Sequence, residues 1–147
     1  MNSIKLLLVF CLLGLSVKET AAQSIKPLEE INTKYQSCLD TGVDMSGCSK
    51  RYFQQIDSLL HVTYRYLKSG LGATEKETLK KEQLAWLEER KNFFRQENAI
   101  LQKKSEAGEG GLDLAMISYD SKADFLRERL LVLLNWTKEH HLNKDHK

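Results

Sequence analysis

Three long stretches of this chain repeat apolar residues every three to four positions, and no useful stretch repeats them every two. Alternation at period two is what a half-buried strand needs, whereas a period of 3.6 puts side chains on one face of a helix. The first stretch carries Tyr52, Phe53, Ile56, Leu59, Leu60, Tyr64 and Leu67. The second carries Leu79, Trp86, Leu87, Phe93, Phe94, Ile100 and Leu101. The third carries Met116, Tyr119, Phe125, Leu126, Leu130, Val132, Leu133 and Leu134. A shorter run of Leu28, Ile31, Tyr35 and Cys38 precedes them, and Pro27 before it suits the first turn of a helix. The pattern predicts an all-α fold: a small antiparallel helical bundle of three long helices plus a short lead helix, around one core.

Punctuation between the stretches sets expected boundaries. Residues 40–47 read as a loop, and the second helix is expected from Cys48. Ser69, Gly70, Leu71 and Gly72 end it, with glycine free to take the left-handed cap conformation. Thr74 followed by Glu77 reads as a capping box that opens the third helix, which is expected to run to about Lys104. Residues 105–111 contain Gly108, Gly110 and Gly111 and read as a loop. The fourth helix is expected over 112–138, with 139–147 as a polar, fraying tail.

The start of the chain has its own logic. Lys5 closes a short basic segment, residues 6–17 are apolar apart from Gly14 and Ser16, and Thr20, Ala21 and Ala22 are small. This predicts a secretory signal peptide over residues 1–22, with cleavage after Ala22 or after Ser24 fitting equally well. The apolar run falls short of the roughly 20 residues of a spanning helix, and no later segment is apolar enough to cross a membrane. Cys11 lies inside the run behind bulky Phe10, which argues against lipid attachment. The expected product is an exported domain over 23–138, periplasmic or extracellular. Without Lys5, Lys18 and Glu19, the 22 basic and 20 acidic residues become 20 and 19, a net charge of +1. That balance argues against nucleic acid as a partner, because such proteins show a basic patch or stripe. Cys38 and Cys48 remain as an even pair in an oxidising compartment, and the short glycine-bearing segment between them can turn. One disulfide is expected; a metal site would need further Cys or His companions nearby.

Catalytic patterns are absent from the sequence. His61 stands alone, and His140, His141 and His146 lie at the tail, so no Ser-His-Asp or Cys-His arrangement is suggested. The tail histidines with Glu139 and Asp145 lack the supporting groups of a built metal site. Gly108, Glu109, Gly110 and Gly111 precede a helix without a preceding strand or a P-loop lysine, so they read as a plain connection. Glu29 with Glu30, and Glu88 with Glu89, are adjacent and point apart on a helix. Asn135, Trp136 and Thr137 match a glycosylation sequon, a short match within a helix. The chain is therefore read as a non-enzyme with no catalytic, metal or cofactor site and no cofactor.

One stripe stands out. Gln83, Trp86 and Arg90 at i, i+3 and i+7 share a helix face that would ordinarily hold Leu and Ile. The second helix offers Asp57, Leu60, Tyr64 and Leu67 at helical spacing, and Asp57 or Tyr64 can meet Arg90 across the pair. The stripe is either a packed network that fixes helix register or a surface that contacts a partner.

At these residues the chain resembles the lysozyme inhibitor LprI-like family, small exported helical modules of bacterial envelopes. Cys38 and Cys48 resemble its first cysteine pair. Asp57, Leu60, Tyr64 and Leu67 resemble one signature of the family, and Gln83, Trp86 and Arg90 resemble another. Gly110, Gly111 and Arg127 match later, weaker positions. The resemblance spans roughly Tyr35 to Leu131. His61 stands where the family usually has Asn, and Phe94 and Tyr119 stand where many members have a second cysteine pair. Two aromatics there can replace a covalent link by packing the third helix on the fourth. The resemblance implies a binding protein whose partner is a lysozyme-type glycosidase, or else another envelope protein met by an interaction module without inhibition.

Overall fold

A computed structural model describes residues 19–144, with side chains over 25–140 apart from Leu112. The apolar leader with Cys11, and the last three residues, lie outside the described residues. Four helices make up the rest: α1 (Glu19–Asp40), α2 (Met45–Gly70), α3 (Ala73–Glu106) and α4 (Gly111–Lys144). No strand occurs among the described residues, so the molecule is all-α as its periodicity requires. Cys38 in the last turn of α1 is bonded to Cys48 in the first turn of α2, with Cα atoms 5.8 Å apart.

Several boundaries differ from expectation, each for a local reason. Pro27 lies inside α1 and not in its first turn. The first loop shrinks to 41–44 because Asp44, at φ 51°, caps α2 itself. Its carboxylate accepts the Gly47 N–H at 3.1 Å. A Cβ on Gly47 would collide with that carboxylate, so glycine here leaves room for the cap. The start of α3 is set by Gly72, not Thr74, and the Glu75 carboxylate reaches back to accept the Gly72 N–H at 2.8 Å. Glycine has no side chain to return the bond, so only half of a capping box exists. Burial of Leu71 pins this connection and keeps it short. Finally, α4 continues beyond Lys138 through most of the expected tail. Thr137 is buried there, Trp136 packs on the core, and His140 Nδ1 lies 3.5 Å from Glu75 Oε1.

Cross-helix contacts fix the directions. Tyr35 of α1 touches both Ser49 of α2 and Asp120 of α4. Phe53 meets Tyr119, while Leu67 and Thr137 line a common surface further along. Thus α2 and α4 run parallel, and their interface is the largest in the molecule. α1 and α3 run antiparallel to them, α1 on α2 and α3 on α4. Consecutive helices are antiparallel, as expected, yet the centre is a parallel pair. Ile56, Leu79, Leu126, Leu130 and Leu133 are fully buried in that centre. Each contributes roughly 1.5–3 kcal/mol by leaving water.

Candidate functional site

The polar stripe of α3 is where sequence and structure meet. Gln83 and Trp86 are each 8% exposed, so both belong to the interior. Gln83 Oε1 accepts two hydrogen bonds from Arg129 of α4, from Nε and Nη2, at 3.1 Å each. Arg129 Nη1 also lies 3.8 Å from Glu82 Oε2. Burial lowers the Arg129 pKa, and the nearby Glu82 and Glu89 carboxylates oppose that shift.

Arg90 caps the outer end of the stripe. Its Nη2 lies 2.9 Å from Asp57 Oδ1 of α2, so the expected cross-helix pairing is made by Asp57. The guanidinium stands 5.8 Å from the Trp86 ring centre and 5.0 Å from that of Phe94. Trp86 stacks on Phe125 of α4 at 5.9 Å, and Phe125 stacks on Phe93 at 4.5 Å. Tyr64 packs at the edge of the core beneath Lys68, whose Nζ is 5.9 Å from its ring centre. Leu60 and Leu67 are core residues. Gln83 Oε1 is bonded to Arg129 of α4 and Arg90 is paired with Asp57 of α2, so the arrangement clamps three helices in register.

Sequence reasoning missed the central partner. Arg127 lies on the same helix as Arg129, but its buried Nε has no hydrogen-bond partner, and it faces the α1 side near Tyr52. Two residues of helix turn the chain by about 200°, which separates the two arginines completely. The available signal was that Ser118, Lys122, Phe125 and Arg129 form a helical stripe continuous with the α3 seam.

A second polar cluster was also unforeseen. Tyr35 and Tyr52 stack at 4.3 Å. Tyr35 Oη donates to Asp120 Oδ1 at 2.8 Å and is 3.1 Å from Ser49 Oγ, while Tyr52 Oη donates to Asn32 Oδ1 at 3.1 Å. Desolvation raises both phenol pKa values, and Asp120 adds to the shift at Tyr35. Phe94 and Tyr119 both tilt against Phe53 of α2, at 5.8 and 5.9 Å, and Phe94 also meets Phe125 of α4 edge-on at 6.3 Å. These aromatics therefore join α3 and α4 both directly and through α2.

The remaining geometry concerns the ends of the bundle. The 41–44 and 107–110 connections lie at the same end, since both precede helices that run parallel. Asp120 and Ser49 sit level through Tyr35, four residues after α2 begins and nine after α4 begins. At 1.5 Å per residue that pair sets the α3–α4 hairpin beyond the disulfide-tied loop, whereas Phe53 and Tyr119, each eight residues into its helix, set the two level, so the offset is about 7 Å at most. Gly108 and Gly110, at φ 71° and 65°, shape its tip, and Gly111 opens α4. Val43, 70% exposed, projects from the disulfide-tied loop.

The family model described as lysozyme inhibitor LprI matches residues 33–133, a range that takes in the disulfide, the α2–α3 seam and Arg129 with its partners. No curated protein and no solved structure gives a significant match. No described helix is long and apolar enough to cross a membrane. On the match over 33–133, the chain belongs to the lysozyme inhibitor LprI family.

Proposed function

We propose that this protein is an exported, non-enzymatic binding protein that blocks a lysozyme-type glycosidase. Family membership supports the reading, and one observation gives it a surface: two connections meet at one end, and exposed lysines border one of them. A glycosidase cleft holds two catalytic carboxylates, so an inhibitor must fill that cleft and offer donors to them. Lys103, Lys104 and Ser105 border the α3–α4 hairpin and are exposed. The leader is removed after Ala22 or Ser24, and the product acts in the periplasm or outside the cell.

The test is lysis of a peptidoglycan suspension by several lysozyme types, with the exported protein in excess. Slower lysis by at least one type is expected. Unchanged rates for all types would overturn inhibition and leave an envelope interaction module.

A further inference from the structure

A cation sits on the disulfide. Arg51, one turn along α2 from Cys48, lays its guanidinium against both sulfurs: Nη2 is 3.1 Å from Cys38 Sγ and 3.5 Å from Cys48 Sγ. Its Nη1 lies 3.3 Å from Asp44 Oδ2, so the carboxylate that caps α2 also holds the guanidinium in place. A disulfide is uncharged and its sulfurs accept only weakly, so the resting bond gains little from such a neighbour. Charge develops there when a thiolate attacks, because one negative charge is then shared among the attacking, central and leaving sulfurs.

The two sulfurs differ in access and in leaving ability. Cys48 is 2% exposed, whereas Cys38, in the last turn of α1, is half-buried. An incoming thiolate therefore meets Cys38, and Cys48 is the leaving group. Cys48 stands in the first turn of α2, where side chains lean back toward the positive end of the helix. A helix N-terminus and a guanidinium both favour a thiolate, and a thiol of lowered pKa leaves faster. The Asp44 carboxylate opposes them, but it is shared between the Gly47 N–H and Arg51.

We propose that Cys38 is a thiol-addition site, at which a small anionic thiol is held as a mixed disulfide. The thiolate sulfur bonds to Cys38 Sγ, the bond to Cys48 breaks, and its electron pair goes to Cys48 Sγ, which becomes a thiolate beside Arg51. A second small thiolate attacks the sulfur of the first, and the electron pair of that bond goes to Cys38 Sγ. Two small thiolates are thereby oxidised to one small disulfide, and the protein disulfide is reduced to two thiolates. The site depends on no glycosidase, and unchanged lysis rates would leave it intact.

The test exposes the exported protein to glutathione, an anionic thiol, and to cysteamine, a cationic one, with rates compared per thiolate. Acid quenching at early times and peptide mass mapping locate the adducts. Glutathione is expected on Cys38, with Cys48 free. Arg51→Gln should slow glutathione at least about threefold and cysteamine less, because it removes the cation beside the reacting sulfurs. Asp44→Asn removes an anion and keeps a capping side chain, so it should speed glutathione by about the same factor. Lys50→Gln removes a cation about 100° away round the helix and should change that rate less than about twofold. Circular dichroism checks that each variant keeps its helices. If Arg51 only braces the bridge, its loss loosens the connection and speeds both thiols alike. That result would overturn the proposal, as would adducts on Cys48, rates unchanged by Arg51→Gln, or no exchange with about 10 mM glutathione.

Discussion

Arg129 and Arg90 carry the same charge at two depths, and depth decides what each contributes. The Arg129 side chain is 9% exposed and gives two bonds to Gln83. Replacing it by methionine leaves Gln83 Oε1 without these donors in the interior, at a cost of about 1.5–3 kcal/mol. The Arg90 side chain is 27% exposed and faces an Asp57 that is 40% exposed, so solvent screens the pair. Arg90→Met should cost about 1 kcal/mol or less. Urea midpoints of the two variants decide this, and equal losses would contradict the argument. The tyrosine pair predicts a pH dependence. Tyr35 and Tyr52 have phenol pKa values raised above 10.0, so their neutral forms favour the fold. Their contribution is complete below the unfolded value and is lost as pH rises through the folded values. Lys122, lowered by burial, acts with the opposite sign over the alkaline range. A Tyr35→Phe, Tyr52→Phe double variant should therefore show a flatter decline in stability above about pH 10 than the parent protein, followed by circular dichroism. The α3 stripe was legible because its spacing placed three unlike side chains on one face. Arg129 was not, because no pattern within α4 tells which of two nearby arginines turns inward; that choice is made by the facing helix.

The helices themselves were legible from period alone, while their ends were not. Asp44, Gly72 and Glu75 set ends through backbone conformation and single hydrogen bonds, which leave little trace in apolar spacing. Glu75 serves twice, capping Gly72 through Oε2 and standing near His140 through Oε1. Glu75→Ala should cost about 1 kcal/mol, the usual loss of a cap, read as a lowered thermal midpoint. A neutral midpoint shift would mean that solvent caps α3 equally well. The α1–α2 connection depends on a different device. The disulfide spans a sequence separation of 10, and reducing it should remove about 2–3 kcal/mol, most of it entropy regained by the unfolded chain. Denaturant midpoints with and without reductant measure this. Pro27 bears on processing at the same scale. Within α1 it cannot donate to the carbonyl of Gln23, so the helix lacks one bond there. Cleavage after Ala22 or Ser24 would bring Pro27 close to a helix start, where that donor has no partner in any case. Leu28 is the first core residue among the described side chains, so the exported chain retains the packing described.

At the scale of the whole molecule, the bundle places its two closed connections at one end and the α2–α3 turn at the other. Net charge near zero gives no long-range field to steer a partner, so recognition must rest on shape and short-range donors. The sequence marked 40–47 and 105–111 as connections without showing that they share an end, because that follows only from the contacts of Tyr35 with Ser49 and Asp120 across three helices. The α3–α4 hairpin, bordered by exposed Lys103 and Lys104, is the better wedge, and the disulfide-tied loop is placed to form a rim beside it. If the hairpin enters a glycosidase cleft, a Lys103→Glu, Lys104→Glu variant sets anions against two catalytic carboxylates and should weaken inhibition at least about tenfold, since like charges brought together cost several kcal/mol. A charge reversal at the opposite end, Lys68→Glu, should leave inhibition unchanged while disturbing only its contact with Tyr64. Both variants lie on exposed positions and should keep the helical circular dichroism of the parent. Equal inhibition by all three proteins would remove the hairpin from the binding surface. Loss only in the Lys68→Glu variant would move that surface to the other end of the bundle.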